Sequence, residues 1–139
     1  MGTSTASRVQ KGTTNFELDN YAKLLNIKYY KPACMKDVLI NQTPDENKCR
    51  IVNTESSDSE GKHWVLYWKK GNKKVWYSSY GDYPDEILIK YLGKNILSST
   101  TQIQSFNGDD KFDCGLYCIL ILYLLSSGYE FEDIIIQLM

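Results

Sequence analysis

Two segments rich in aromatic and β-branched residues, His63 to Trp68 (HWVLYW) and Val75 to Tyr80 (VWYSSY), flank the polar string Lys69 to Lys74 (KKGNKK). Such residues suit a pleated, half-buried surface, and the Gly71-Asn72 pair suits a tight turn, so the spacing predicts a β-hairpin. A hairpin is barely stable alone and needs a cover for its apolar face. The chain supplies one downstream, because Cys114 to about Ser126 is apolar on every side and predicts a buried helix. A sheet with a helix buried against it restricts the chain to an α+β arrangement.

The remaining signals fill in that arrangement. Thr14 with Glu17 three residues later reads as a capping box, and Leu18, Tyr21, Ala22 and Leu25 follow at amphipathic helical spacing. Lys28 to Asn47, with Pro32 and Pro44 as breakers, is mostly loop with one helical turn near Met35 to Leu39. Arg50 to Asn53 is a short strand, and Thr54 to Gly61 a polar loop. Asp82 and Pro84 open a helix carrying Ile87, Leu88, Tyr91 and Leu92 on one face. Leu97 to Gln104 alternates and predicts another strand, and Ser105 to Asp113 is a polar loop. Gly128 ends the buried helix, and Glu130 to Leu138 forms a last amphipathic one. The expected organisation is a flexible tail over 1–14 and one domain over 15–139.

Composition narrows the function. Of 139 residues 42% are hydrophobic, enough for a core, and 16 Lys+Arg against 17 Asp+Glu argue against a dedicated basic-stripe nucleic-acid binder. The hairpin lysines read as solubilising. The longest apolar run, Ile119 to Leu125, falls far short of the roughly 20 residues of a membrane span. Met1 to Thr14 lacks the apolar centre of a signal peptide, so an intracellular protein is expected. The four cysteines fit neither disulfides nor zinc: Cys114 and Cys118 stand at i, i+4, and Cys34 and Cys49 are fifteen apart.

Chemistry centres on two residues. Cys114 sits at the first turn of the buried helix, where backbone N–H groups favour an anion and depress a thiol pKa; the plain alternative is a small core residue. Gly115 beside it would let a substrate backbone approach. Cys118, one turn on, reads as core. His63 is the one histidine, and a cysteine–histidine pair is the minimal thiol nucleophile, usually with a third group orienting the imidazole. Gln104, ten residues before Cys114, can aim an amide N–H at a developing oxyanion.

The strings Gly61 to Trp68 (GKHWVLYW), Trp76 to Gly81 (WYSSYG), Gln102 to Gln104 (QIQ) and Asp113 to Cys118 (DCGLYC) together resemble the adenain-like cysteine proteases, the adenovirus endopeptidase and its relatives in Polinton/Maverick elements and virophages. Met35 to Asp37 (MKD) and Ile51 to Asn53 (IVN) resemble stretches that precede the histidine in the Polinton-type enzymes. The Asp-Cys-Gly and His-Trp pairings also occur in the SUMO-deconjugating proteases, which share the fold. The resemblance covers about Asn15 to Leu125. It implies a papain-like, adenain-like fold, with a small central mixed sheet flanked by helices.

It also implies roles: His63 as general base, Cys114 as nucleophile, and Gln104 with the Cys114 N–H as oxyanion hole. The family's acid position holds Ser78 here. A serine hydroxyl can accept from the imidazole Nδ1–H but cannot offset an imidazolium charge, so a weakened triad or a dyad is expected. Asp82 supplies the charge only if the turn folds back; its plain reading is a helix cap. The Gln104–Cys114 loop is longer than the family's, and its Asp109-Asp110 pair does little for a thiolate.

The function this implies is cleavage of capsid or other virion precursors at small-residue, Gly-containing sites, inside the host cell or the virion, by a monomer. Trp64 would wall the cleft, and no metal or organic cofactor is implied. Adenain is stimulated by a disulfide-linked peptide and by DNA, so the resemblance leaves a peptide activator and nucleic acid open; Cys34 or Cys49 would offer the thiol for such a link, but neither sits in a matching motif, and the near-neutral charge speaks against DNA. The alternatives are a deconjugase of a ubiquitin-like protein, and a catalytically lapsed protease kept as a binding or virion module, for which Ser78 is the one sign.

Overall fold

The structure, a computed structural model, describes residues 13–39, 47–54, 63–84, 86–104 and 113–139. The expected tail up to residue 12, most of the loop from Thr54 to Gly61, and the loop after Gln104 with Asp109 and Asp110 lie outside the described residues.

Helix α1 (Asn15–Leu24) starts as its sequence dictates, with the Thr14 hydroxyl accepting the Glu17 N–H and the Glu17 carboxylate accepting the Thr14 N–H. A two-residue strand, β1 (Cys34–Met35), leads into the single turn α2 (Lys36–Leu39). Strand β2 (Asn47–Asn53) begins three residues before the expected Arg50. Then come the hairpin strands β3 (Trp64–Lys70) and β4 (Lys73–Tyr77), joined by a two-residue turn in which Gly71 takes φ 58°. Helices α3 (Glu86–Leu92), α4 (Cys114–Ser126) and α5 (Phe131–Leu138) complete the described elements.

The sheet order is β1-β2-β3-β4, with β1 parallel to β2 and the other pairs antiparallel, so the sheet is mixed, as expected. Alternation along the strands divides the core between two faces. One face (Cys49, Ile51, Leu66, Val75, Tyr77) packs against Leu18 of α1, Cys118, Ile121 and Leu122 of α4, and Ile134 of α5. The other (Val52, Val65, Tyr67, Trp76) packs under Leu39 of α2 and Leu88, Tyr91 and Leu92 of α3. At the hairpin end the register sets Lys48 opposite Lys69 and Lys69 opposite Lys74, three lysines in one row across three strands. Lys48 is buried and donates to the Tyr91 hydroxyl at 3.0 Å.

Two expectations are corrected. The strand over Leu97 to Gln104 is not a ladder. Leu97 exchanges N–H···O bonds with the edge of β4 (2.8 and 2.9 Å), forming an isolated bridge; further on the Tyr77 hydroxyl donates to the Thr101 carbonyl, and Ile103 and Gln104 donate to the carbonyl of Ser79, just beyond β4. Alternation alone does not make a strand without a continuous partner. Asp82 does not cap a helix either: α3 starts at Glu86, and the Asp82 carboxylate is engaged elsewhere. Among the described residues no helix is long and apolar enough to cross a membrane.

Candidate active site

Cys114 is the first residue of α4, behind the N-cap Asp113, whose Oδ1 accepts the Leu116 N–H at 2.9 Å. The apolar helix behind it is driven into the core, which leaves Cys114 only 7% exposed. Its Sγ accepts a hydrogen bond from the Trp64 N–H at 3.3 Å, so the thiol is anchored to the peptide that follows His63. Burial pushes the thiol pKa up, and the neighbouring Asp113 charge adds to this, while the N–H groups of Trp64, Gly115 and Cys114 pull it down. The net direction is upward, opposite to the expected depression, because loss of water outweighs the pull of the backbone N–H groups.

His63 stands immediately ahead of β3, and its carbonyl accepts the Thr54 N–H at 3.0 Å, so the sheet fixes its backbone. The ring is stacked on Tyr80, with centroids 4.5 Å apart and planes at 21°. Its Nε2 lies 2.9 Å from Ser78 Oγ, and Nδ1 is buried with no hydrogen-bond partner among the described residues. It is therefore Nε2, not the expected Nδ1, that meets the hydroxyl. Burial lowers the His63 pKa and the Asp82 charge partly restores it.

Ser78 follows the last residue of β4. The Gly81 N–H donates to the Ser78 carbonyl at 2.8 Å, closing a turn through Ser79 and Tyr80. Gly81 sits at φ 79°, and a Cβ there would come within 2.5 Å of the Thr100 carbonyl oxygen, so the turn requires glycine. The reversal returns Asp82 to Ser78: Ser78 Oγ donates to Asp82 Oδ2 at 3.2 Å, and Asp82 Oδ2 lies 4.0 Å from His63 Nε2.

Gln104 is buried, with its backbone N–H on the Ser79 carbonyl at 3.0 Å. Its side-chain Oε1 accepts the Ser79 hydroxyl, a contact that sequence reasoning missed because a serine beside an acid position carries no signal of its own. With Oε1 engaged as an acceptor, the donor end of the amide is its N–H₂ group.

Gly115 has a different reason from the one expected. A Cβ on it would lie 3.1 Å from Leu18 Cδ2 and 3.2 Å from Trp64 Cδ1, so the position is closed by packing rather than open to substrate. Trp64 in turn donates its indole N–H to the Thr13 carbonyl at 3.1 Å, while the Thr13 hydroxyl donates to Asp113 Oδ2 at 2.7 Å. Cys118 is core, as expected, and Cys34, Cys49, Cys114 and Cys118 are all free thiols. Among the described residues no group of three or more His, Cys, Asp or Glu side chains could hold a metal ion.

No family model and no curated protein matches the sequence. Solved structures do. The crystal structure of the ASFV pS273R protease superposes with a TM-score of 0.59 at 16% identity, covering 90% of this chain and 61% of that one. The selenomethionine form of the same protease gives 0.54 at 15% identity, covering 90% and 62%. The chain thus spans about 61% of the length of the viral protease whose fold it shares. The expected α+β cysteine-protease fold is the fold observed.

Proposed function

We propose that the chain is a cysteine endopeptidase in which Cys114 is the nucleophile, His63 the base, and Gln104 with the Cys114 N–H the oxyanion hole. The observation that carries this reading is the hydrogen bond from the Trp64 N–H to Cys114 Sγ, which holds the thiol at the start of a buried helix against the backbone next to the one histidine; no direct bond joins the resting thiol to His63 Nδ1 among the described residues. The shared viral-protease fold supports it.

The chemistry balances with the groups present. The Cys114 thiol proton passes to His63 Nδ1, and the thiolate adds to the scissile carbonyl carbon. The oxyanion so formed takes hydrogen bonds from Gln104 Nε2 and the Cys114 N–H. Collapse expels the amine, which leaves with the proton from Nδ1, and a thioester remains. Water, deprotonated by Nδ1, then attacks the thioester, releasing the acid and returning the thiol proton. Burial disfavours both the thiolate and the imidazolium, so in this reading the proton moves during reaction.

The substrates this reading favours are virion precursor polypeptides cut at Gly-containing sites, because the resemblance to adenain-like enzymes lies in the motifs around His63, Gln104 and Cys114. The test is mass spectrometry of a peptide set bearing Gly-Gly and Gly-Ala sites after incubation with the protein. Wild type cleaves, Cys114→Ala does not, and His63→Ala loses about 10²–10⁴-fold. Cleavage that survives Cys114→Ala, or no cleavage of any peptide by wild type, overturns the proposal.

A further inference from the structure

The acid that the sequence lacks at position 78 is present one hydrogen bond away. Three groups converge on the Ser78 hydroxyl: the Tyr80 N–H at 3.3 Å, Asp82 Oδ2 at 3.2 Å and His63 Nε2 at 2.9 Å. A hydroxyl has one proton to give and two lone pairs to receive with. The backbone N–H can only donate, and a carboxylate can only accept, so the one hydroxyl proton points at Asp82. His63 Nε2 then faces a lone pair and must carry the ring proton. That leaves Nδ1 bare, and Nδ1 is the buried atom with no partner among the described residues.

We infer that Asp82 is a positioning residue which, through the Ser78 hydroxyl, holds His63 in its Nε2–H tautomer and so keeps Nδ1 free to act as the base. The relay Asp82–Ser78–His63 stands in for the direct carboxylate–imidazole contact of a triad. Its consequence for catalysis rests on the protease reading above; its geometry does not. It gives the turn at Gly81 a purpose, since only a reversal there sets the residue-82 carboxylate beside the residue-78 hydroxyl. Asp82 is 58% exposed, so its charge is partly screened, and the relay orients the ring more than it stabilises an imidazolium. Among the described groups around the ring, Asp82 is the one whose charge acts on it; Tyr80 stacks on its face, and burial on α4 raises the pKa of Cys114.

The chain has a single histidine, so nitrogen NMR reads the relay without ambiguity. Long-range ¹⁵N–¹H correlations of the whole protein, recorded above the His63 pKa, are expected to show Nε2 protonated and Nδ1 bare. In Asp82→Ala the hydroxyl proton is released to turn toward Nε2, and the Nδ1–H tautomer rises to a major population. In Asp82→Asn the side-chain carbonyl still accepts, so the tautomer persists while the His63 pKa falls for want of the charge. Wild-type tautomer populations in Asp82→Ala, or loss of the Nε2–H tautomer in Asp82→Asn, overturn the inference. Neither readout needs a substrate, so a failure to cleave peptides leaves the relay standing, and a missing relay leaves peptide cleavage to be judged separately.

Discussion

The hydroxyl of Ser79 donates to the side-chain carbonyl of Gln104, and this contact fixes which end of the amide is taken up as an acceptor. An amide can present either a carbonyl or an N–H₂, and only the second stabilises an oxyanion. The turn after β4 thus reaches both side chains, Ser78 back to the imidazole and Ser79 forward to Gln104, which the proposed function makes the oxyanion donor.

It follows that Ser79→Ala lowers kcat on a cleaved peptide with little change in KM. Gln104→Ala removes the donor itself and costs about 10²–10³-fold in kcat. The double variant is expected to be no worse than Gln104→Ala alone, because Ser79 acts through Gln104. Steady-state kinetics on the four proteins checks this, and additive losses would sink it.

Alkylation of Cys114 followed by mass spectrometry should show a midpoint above the ordinary thiol value of 9.0, because burial raises this thiol. His63→Ala should leave that midpoint high. A midpoint well below 9.0 in wild type that climbs in His63→Ala would reveal a resting ion pair instead.

The pH dependence of stability follows from the same groups. The His63 pKa is lowered in the folded state, so the unfolded chain binds the extra proton, and stability falls as pH drops below 6.5 toward the folded value. The thiols of Cys34, Cys49, Cys114 and Cys118 are raised by burial, Cys49 to about 12, so the unfolded chain loses protons first and stability falls as pH rises through 9.0. Urea midpoints should be highest between 6.5 and 9.0. His63→Gln should gain on wild type as pH falls below 6.5, and a constant gap between them would contradict the burial effect.

Gly81→Ala should lose about 2–3 kcal/mol, from a disfavoured backbone angle together with a Cβ driven into the Thr100 carbonyl. Denaturant unfolding measures this. The same variant should release Asp82 from Ser78, so the histidine tautomer shifts even where the protein stays folded.

Local patterns were legible where local physics decides. The Thr14/Glu17 capping box, the hairpin around Gly71 and the apolar helix from Cys114 each rest on neighbouring residues, and each stands in the structure. Features set by distant partners were not legible. Leu97 to Gln104 alternates like a strand, yet among the described residues its backbone pairs with that of β4 at Leu97, and further bonds go to the Tyr77 hydroxyl and the Ser79 carbonyl. The left-handed Gly81 is explained by Thr100, nineteen residues on, so the return of Asp82 to Ser78 was at best a conditional reading. The elevated thiol pKa escaped for the same reason: position along a helix is local, whereas the burial that overrides it belongs to the whole core.

The row of Lys48, Lys69 and Lys74 carries a consequence of another kind. Like charges opposite one another across a sheet repel, and dissolved ions shield that repulsion over a length of about 10 Å at 0.1 M salt. Electrolyte should therefore tighten the hairpin end of the sheet, and the molecule should melt later in moderate salt than in dilute buffer. The ionic strength of the surrounding solution thus helps to set how firmly the far end of the sheet is held.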